Sequence, residues 1–318
     1  MTRDDDMSAA ALTDAAAPGG ASKPGKESET SSRTLWGDAI RRLRRNKLAV
    51  ASLAWIVMMV VLAVSADLWV PRVLGDPIAI DTTTVVQRAL GGPSLQHPFG
   101  YDDLGRDIAS RIIYGARVSL AVGVIATAIS VVLGLFFGGL AAFYGGLSDS
   151  LVMRLADVFP AFPYILFAIA LIAAMGPGFL TVLVAIGFLG WPTIARVFRS
   201  SILSVKENEY VDAARALGAG DLRIMVRHIM PNAVAPIIVY STMTIGGAIL
   251  TEAAMSFLGV GMVPPTPAWG LMLADARGYM YNAPHMMIFP GLAILTTVLA
   301  FVLLGDGLRD ALDVKLKD

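Results

Sequence analysis

The chain has 318 residues, of which 56% are hydrophobic and 16% charged, and its formal net charge is +0. Long apolar runs at this composition exclude an ordinary soluble domain and predict a membrane protein. The balanced charge does not favour nucleic-acid binding. The sequence contains no cysteine, and its three histidines (His97, His228 and His285) lie far apart, so we predict no metal site.

The N-terminal region, residues 1–33, is rich in Ala, Ser, Gly, Asp and Lys and lacks apolar periodicity, which predicts a disordered tail. Its acidic start, MTRDDD, is not typical of a cleavable signal peptide. A basic cluster precedes the first apolar run: Arg41, Arg42, Arg44, Arg45 and Lys47. By the positive-inside rule this cluster keeps the N-terminus in the cytoplasm and makes the first span an uncleaved anchor.

Six apolar runs predict an all-α membrane protein with six spans and both termini in the cytoplasm. The runs cover about 48–70, 118–144, 151–174, 179–198, 233–258 and 286–304. We expect the fourth to continue as a helix beyond the membrane. Arg117 is an exception to the charge rule, because it lies close to the predicted outer end of the second span. Gly134 and Gly138 form a small-xxx-small pair, which predicts close helix packing.

A charged insert of 28 residues, 204–231, separates the fourth and fifth runs. A long polar segment at this place suggests a docking surface. Two short helices joined by a glycine turn are also typical of a DNA-binding helix-turn-helix, but a position between membrane spans argues against that function. The alternative without a binding function is a solvated amphipathic loop that has no partner.

Capping signals predict where the helices of the insert begin and end. Ser204 with Glu207 predicts a capping-box start. The next helix should bury one face, formed by Tyr210, Val211, Ala214 and Leu217. Glycines at 218 and 220 predict the break, and Asp221 is expected to cap a second helix that ends near Pro231.

No catalytic motif is present: the sequence lacks the GxxxxGK[ST] phosphate loop, HExxH and GxSxG. We therefore predict a chain that is not an enzyme and holds no cofactor. Ionisable residues within the runs are few, namely Arg154, Asp157 and Glu252, whereas ion-coupled carriers need such groups. Two alternatives stay open: an ion-coupled secondary carrier or channel, and a membrane scaffold that recruits a soluble partner.

The insert resembles the EAA loop of permease subunits in binding-protein-dependent ABC importers. The matching residues are Asp212, Ala213, Ala214, Gly218 and Pro231. Asp212 replaces the family's Glu, while His228 and Met230 stand at its Ile and Leu positions. The resemblance implies that the insert is a coupling helix that contacts an ATPase subunit. Glu209 and Arg215 can add polar contacts, so the candidate coupling residues are Glu209, Asp212, Ala213, Ala214, Arg215, Gly218 and Pro231.

Three further segments resemble the second, C-type permease subunit of dipeptide and oligopeptide (peptide/nickel-type) transporters: 97–107, 256–270 and 305–313. This implies the type I ABC importer fold in a bacterial inner membrane. Residues 34–96 would hold an amphipathic segment, the first span and an outer loop. Residues 97–318 would form the core transmembrane domain.

The same resemblance implies the partners and the cargo class. The expected partners are a homologous permease subunit, two ATP-binding subunits that hold ATP and Mg, and an extracytoplasmic solute-binding protein. The expected cargo is a peptide or a related small solute, carried along the interface between the two permeases.

Two further groups of residues are site candidates. The outer-loop signature consists of Gly100, Asp102, Gly105, Arg106 and Asp107. It is interpreted either as a salt-bridged cap or as a contact for the solute-binding protein, and the cap is favoured because exposed mixed charges often pair locally. Glu252 is a candidate for the solute path, because a carboxylate in an apolar run needs a partner or water. The alternative for Glu252 is a structural ion pair with an outer-loop arginine.

Overall fold

The computed structural model describes residues 35–312, which are helical and contain no β-strand. The predicted disordered tail at 1–33 lies outside the described residues. The α-helices are α1 (Leu35–Arg45), α2 (Lys47–Val73), α3 (Val85–Arg88), α4 (Ile108–Tyr144), α5 (Gly146–Val158), α6 (Tyr164–Met175), α7 (Phe179–Lys206), α8 (Glu209–Ala216), α9 (Asp221–Ile224), α10 (Met230–Ala233), α11 (Ala235–Phe257), α12 (Trp269–Ala276) and α13 (His285–Leu312).

Five helices are long and apolar enough to cross a membrane: α2, α4, α7, α11 and α13. A sixth candidate is the pair Gly146–Ala161 and Tyr164–Met175, which is bent by 91°. The sequence predicted one span over about 151–174, with a kink expected at Pro163, and the structure shows a break instead of a mild kink. Pro163 has no backbone N–H to donate, and it holds the preceding Phe162 in an extended conformation with φ −105 and ψ 141.

The helix α4 begins ten residues before the predicted start of the second span at about 118. Asp107 caps it, with its side chain accepting a hydrogen bond from the Ser110 N–H at 2.7 Å. Hydropathy alone missed this first part because it carries Arg111 and Arg117. Arg117 lies 2.9 Å from Asp67 of α2 and also donates to the Ala63 carbonyl at 2.5 Å, so its charge is compensated inside the protein.

The contact between α4 and α7 depends on the two glycines that were predicted to pack. A Cβ atom added to Gly134 would lie 2.5 Å from the Ile194 side chain, and one added to Gly138 would lie 2.5 Å from the Ala195 carbonyl oxygen. The predicted close packing is confirmed, since only glycine lets the two backbones approach this far.

Gly138→Ala is expected to destabilise the protein by about 1–3 kcal/mol, because the obstructing atom is helix backbone and cannot move alone. The thermal unfolding midpoint in detergent measures this loss. Gly139→Ala is the matched control, since its new methyl group would meet only Phe198, at an ordinary 3.5 Å. Equal midpoints for the two variants would contradict the packing argument.

The N-terminal helix α1 packs against the C-terminal helix α13. Leu43 of α1 joins the apolar cluster that α2, α4, α11 and α13 form. Asn46 separates α1 from α2 and caps α2, its side-chain oxygen accepting from the Leu48 and Ala49 N–H groups at 3.1 and 3.2 Å. Gly307 of α13 also lies close to Ala49 of α2, and a Cβ atom added to Gly307 would clash with the alanine methyl.

Candidate functional site

The insert follows directly from α7, which runs without a break through Ser204 to Lys206. The predicted capping box at Ser204 and Glu207 is therefore wrong. The next helix, α8, starts at Glu209 after Asn208, whose side chain donates to the Val205 carbonyl at 3.0 Å. Tertiary contacts extend α7 past the predicted start: the Lys206 ammonium donates to the Ala142 carbonyl of α4 at 2.7 Å.

The turn after α8 requires a residue with a positive φ. Gly218 has φ +81, its N–H donates to the Arg215 carbonyl at 2.9 Å, and the Ala219 N–H donates to the Ala214 carbonyl at 3.1 Å. This arrangement closes the end of the helix as glycine C-caps do. The break predicted at Gly218 is confirmed, and the turn sends the chain back toward the membrane helices.

One residue of α8 anchors it to the rest of the protein. Val211 is fully buried, in a cluster with Ile202 of α7 and Ile229 beyond α9, and Ala214 packs beside them. The predicted buried face is only partly correct, because Tyr210 is 43% and Leu217 is 89% exposed. The anchor ties α8 to the end of a long membrane helix.

The polar residues assigned to ATPase contact lie on the exposed side of α8. Glu209, Asp212, Ala213 and Arg215 are exposed, and the Arg215 guanidinium lies 3.3 Å from the Asp212 carboxylate. Both charged groups are more than half exposed, so this ion pair adds little to stability and can exchange partners. Within the part of the chain that the structure describes, this face is therefore exposed, and another protein can contact it.

The second helix of the insert differs from the prediction at both ends. Gly220 is the N-cap of α9, and Asp221 is its first residue instead of its cap. Pro231 does not end the helix: the chain continues through a π-helical stretch, Met225–Ile229, into α10. Pro231 is near the start of α10 and has no N–H to donate, and the turn before it closes through the Met230 N–H, which donates to the Met225 carbonyl.

The outer-loop signature forms a closed network around Asp102. Its carboxylate lies 2.7 Å from the Arg106 guanidinium and also accepts from the Leu104 and Arg106 N–H groups at 2.9 and 2.8 Å. Arg111 of α4, only 2% exposed, lies 3.5 Å from Asp102 and 3.8 Å from Asp275 of α12. The structure shows the local pairing that the cap interpretation predicts.

Asp107 joins the loop to α4 and to the preceding segment. Besides capping α4, its carboxylate lies 2.7 Å from His97 Nδ1. Gly100 has φ +77, and a Cβ atom there would lie 2.5 Å from the Gly91 carbonyl oxygen; Gly105 has φ +70. His285 of α13 completes the contact with its Nε2 3.2 Å from the Tyr101 carbonyl. Among the described residues, no group of three His, Cys, Asp or Glu could hold a metal ion.

One carboxylate of the outer loop is compensated only in part, although Arg106 and Arg111 lie nearby. Asp103 Oδ1 is buried and has no hydrogen-bond partner. Burial, and next the negative charge of Asp102, raise the pKa of Asp103. Ionised Asp103 therefore destabilises the folded state. This penalty is complete above the raised pKa and disappears below the unfolded value, about 3.9.

Asp103→Asn is therefore expected to raise the thermal unfolding midpoint at pH 7, by on the order of 1 °C. The advantage should shrink as the pH falls toward 4. Asp81→Asn is the opposite control: hydrogen bonds from Thr83, then Thr84, lower the pKa of Asp81 to about 2, so this change lowers the midpoint at pH 7 and its effect fades as the pH falls from about 4 toward 2. Midpoints that shift in the same direction would contradict this account.

Glu252 is not paired with the predicted outer-loop arginine, and its place on the solute path stays a prediction. It is fully buried in α11, and its described partners are two hydroxyls in place of an arginine. Ser119 of α4 donates to Oε2 at 3.0 Å, and Ser256 donates to Oε1 at 2.8 Å. Ser256 Oγ in turn accepts from the Met262 N–H at 3.0 Å, so the carboxylate joins α11 to α4 and to the following loop.

A polar cavity of about 300 Å³ lies between α4, α6, α7 and α11. Glu252 does not line it, but its neighbour Thr251 does, together with Thr127, Ser130 and Thr244. This site was not predicted from the sequence. The available signal was a series of hydroxyl residues at helical spacing in the fifth apolar run, from Tyr240 to Thr251.

Two protein-family models match this chain. Residues 34–80 match the N-terminal transmembrane domain of oligopeptide transport permease C. Residues 130–318, more than half of the sequence, match the binding-protein-dependent transport system inner membrane component. The chain belongs to this family of importer permeases.

Relatives support the permease assignment over nearly the whole chain. The glutathione transport system permease protein GsiD of Escherichia coli O6:K15:H31 (strain 536 / UPEC) is 46% identical over 285 residues, which is 90% of this chain and 92% of the relative. The protein of the same name from Shigella boydii serotype 4 (strain Sb227) shows the same identity and coverage.

Solved structures show the same fold at low sequence identity. A chain of the MetNI methionine ABC transporter in an inward-facing conformation has a TM-score of 0.53 and 21% identity, covering 63% of this permease and 96% of that chain. A chain of an amino acid ABC transporter with histidines has a TM-score of 0.52 and 18% identity, covering 64% and 94%. The predicted fold, an all-α type I ABC importer permease, is confirmed.

Family membership fixes the general role of the permease. It is a non-catalytic, multi-pass membrane subunit of a peptide-type ABC importer, which works with ATPase and substrate-binding components. The prediction of a subunit that is not an enzyme is confirmed by its relatives, which are permease components.

Proposed function

We propose that this permease forms half of the translocation path for short peptides, glutathione among them, in a bacterial inner membrane. The observation that carries the proposal is 46% identity over 90% of the chain to a glutathione transport system permease. The other half of the path is a homologous but different permease subunit, and an extracytoplasmic binding protein delivers the solute.

The insert at 204–231 is the proposed coupling element. Its support is mechanical: α8 presents Glu209, Asp212 and Arg215 outward, while Val211 fixes it to the end of α7. Because α7 is one helix from Phe179 to Lys206, a displacement of α8 reaches the membrane part of the protein. An ATPase that holds α8 differently in its ATP-bound and free states would shift the balance between two conformations of the membrane domain.

The proposed orientation puts both termini and the insert in the cytoplasm. Exposed basic residues near the insert support it, including Arg215, Arg223 and Arg227, as do Arg44 and Arg45 before the first span. The outer Arg117 does not oppose this orientation, because Asp67 and backbone carbonyls compensate its charge. The outer-loop signature then lies on the side from which the binding protein approaches, where its buried ion pairs form a cap.

Uptake by the complete importer tests the proposal. The permease, its partner permease and the two ATPase subunits are reconstituted in proteoliposomes, and labelled glutathione, a dipeptide or nickel is supplied with the binding protein. We expect ATP-dependent accumulation of glutathione or the dipeptide. Accumulation by this chain alone, driven by an ion gradient, would instead identify a secondary carrier, and ATP-independent recruitment of a soluble protein would identify a scaffold.

A further inference from the structure

One face of α11 opens into the polar cavity. Tyr240, Thr244, Gly247 and Thr251 line it and are spaced by four, three and four residues, so they share one side of the helix. A Cβ atom on Gly247 would have no atom within 4 Å, which shows open space in front of this face. The neighbouring face of α11 is filled, because Ile249 and Glu252 pack against α4.

The other walls add hydroxyls beside apolar side chains, and the apolar residues that line the cavity are Ile186, Leu189 and Ala248. Thr127 and Ser130 come from α4, Tyr164 from α6 and Thr193 from α7. Within residues 35–312, no Asp, Glu, Lys, Arg or His lines the cavity. Hydroxyls without a charged side chain offer hydrogen bonds to polar and ammonium groups but do not hold an ion strongly.

Most of these hydroxyls have already committed their protons to the protein. Thr244 donates to the Tyr240 carbonyl at 2.9 Å, Thr251 donates to the Gly247 carbonyl at 2.8 Å, and Ser130 donates to the Gly187 carbonyl at 2.7 Å. Each of these hydroxyl oxygens can therefore only accept a hydrogen bond from a bound solute. The cavity consequently favours solutes that bring hydrogen-bond donors.

Thr127 differs because its hydroxyl oxygen is both buried and unpartnered among the described residues, and this points to a ligand. The residue is 3% exposed and lines the cavity, yet its Oγ1 has no hydrogen-bond partner among the described residues. A buried hydroxyl without a partner is unfavourable for folding. A passing solute can supply the missing hydrogen bond.

We propose that this cavity is the permease's own contact with the solute in transit, and that its hydroxyl oxygens accept hydrogen bonds from peptide N–H and ammonium groups. This rests on the proposed function, since it names the solute groups recognised along that path. Neutral hydrogen bonds are strong enough to replace the water a peptide loses and weak enough to release it. The carboxylate of Glu252, which would hold an ammonium group tightly, is kept out of the cavity by its two serines.

Thr127→Val tests the proposal, because valine keeps the shape and removes only the hydroxyl. We expect the uptake rate of the reconstituted importer to fall about fivefold, the effect of one neutral hydrogen bond, and Thr127→Ser to restore it. The thermal unfolding midpoint should stay equal or rise, because an unpartnered buried hydroxyl has been removed. Thr242→Val is the control: Thr242 lies on α11 and donates to the Ile238 carbonyl, but it does not line the cavity.

Cysteine labelling tests the site without relying on transport. The chain has no cysteine of its own, so a single Thr244→Cys in the complete importer can be followed by the mass of this subunit after reaction with a charged thiol reagent. We expect Thr244→Cys to react faster than Thr242→Cys. Loaded binding protein with ATP should slow the reaction at Thr244 only.

The outcomes distinguish an error in the proposed cargo from an error in the proposed contact between cavity and solute. If the proposed cargo is wrong, wild-type proteoliposomes accumulate neither glutathione nor the dipeptide, while Thr244→Cys still reacts faster than Thr242→Cys. If the cavity does not contact solute, wild-type proteoliposomes accumulate solute, Thr127→Val transports at the wild-type rate, and the two cysteines react equally. The second pattern overturns this inference and leaves the proposed function in place.

Discussion

Gly218→Pro is expected to abolish ATP-driven uptake and to reduce the amount of ATPase that co-purifies with the permease. Gly218 has φ +81, whereas proline is restricted to about −65. The change also removes the N–H that donates to the Arg215 carbonyl. The end of α8 would unwind and the face carrying Asp212 would lose its fixed position. Quantitative co-purification and uptake in proteoliposomes measure the two effects.

Gly220→Ala is the matched control, because Gly220 has an ordinary φ of −68 and open space around its Cβ position. It should retain wild-type uptake. Gly218→Asn should keep part of the activity, since asparagine tolerates a positive φ better than other side chains. A bulky residue at Ala214 should act like Gly218→Pro. Normal uptake with normal ATPase co-purification in Gly218→Pro would refute the assignment of the insert as the coupling element.

In the insert, local sequence signals predicted the turn at Gly218 but not the junction with α7. The break at Gly218 was predictable because a positive φ leaves few residue choices. The junction with α7 was not, because a capping box at Ser204 competes with contacts that no local pattern reveals. Lys206 bonding to Ala142, 64 residues away, and the burial of Ile202 outweigh the preference of serine for an N-cap, which is worth about 1 kcal/mol.

In the membrane spans, too, features set by neighbouring residues were predicted, and features set by distant contacts were not. Hydropathy predicted the membrane helices but placed the start of α4 too late. Arg117 is typical of a loop, and only the structure shows that Asp67 pairs with it. In the outer loop, the sequence predicted local pairing among mixed charges that include Asp102 and Arg106. It did not identify Arg111 and Asp275 as their neighbours, since α4 and α12 meet only in the folded protein.

The cavity was harder to predict than either. Serine and threonine in apolar helices commonly bond to their own backbone, as Thr242 and Thr244 both do. Such residues therefore give a weak signal until the structure separates the one that faces a cavity from the one that does not. The unpartnered hydroxyl of Thr127 could not be found at all without the positions of its neighbours.

Glu252→Leu is expected to reduce the yield of folded protein and to destabilise it by about 2–4 kcal/mol, because two buried serine hydroxyls lose their acceptor. The loop after α11 is also affected, since Ser256 holds the Met262 N–H. Glu252→Gln should be far milder: its oxygen can accept from Ser256, and its amide can donate to Ser119. The yield of detergent-stable monodisperse protein and its thermal midpoint measure the difference.

A double-mutant cycle with Ser119→Ala separates this structural role from a role in solute selection. If Glu252 joins α4 to α11, the two changes are coupled by about 1–3 kcal/mol, because either one already removes the shared hydrogen bond. Glu252→Gln should then keep the wild-type order of preference among glutathione, dipeptides and nickel. A changed preference in Glu252→Gln at an unchanged thermal midpoint would place the carboxylate on the solute path, and the cavity beside Thr251 would then extend to it in another conformation of the importer.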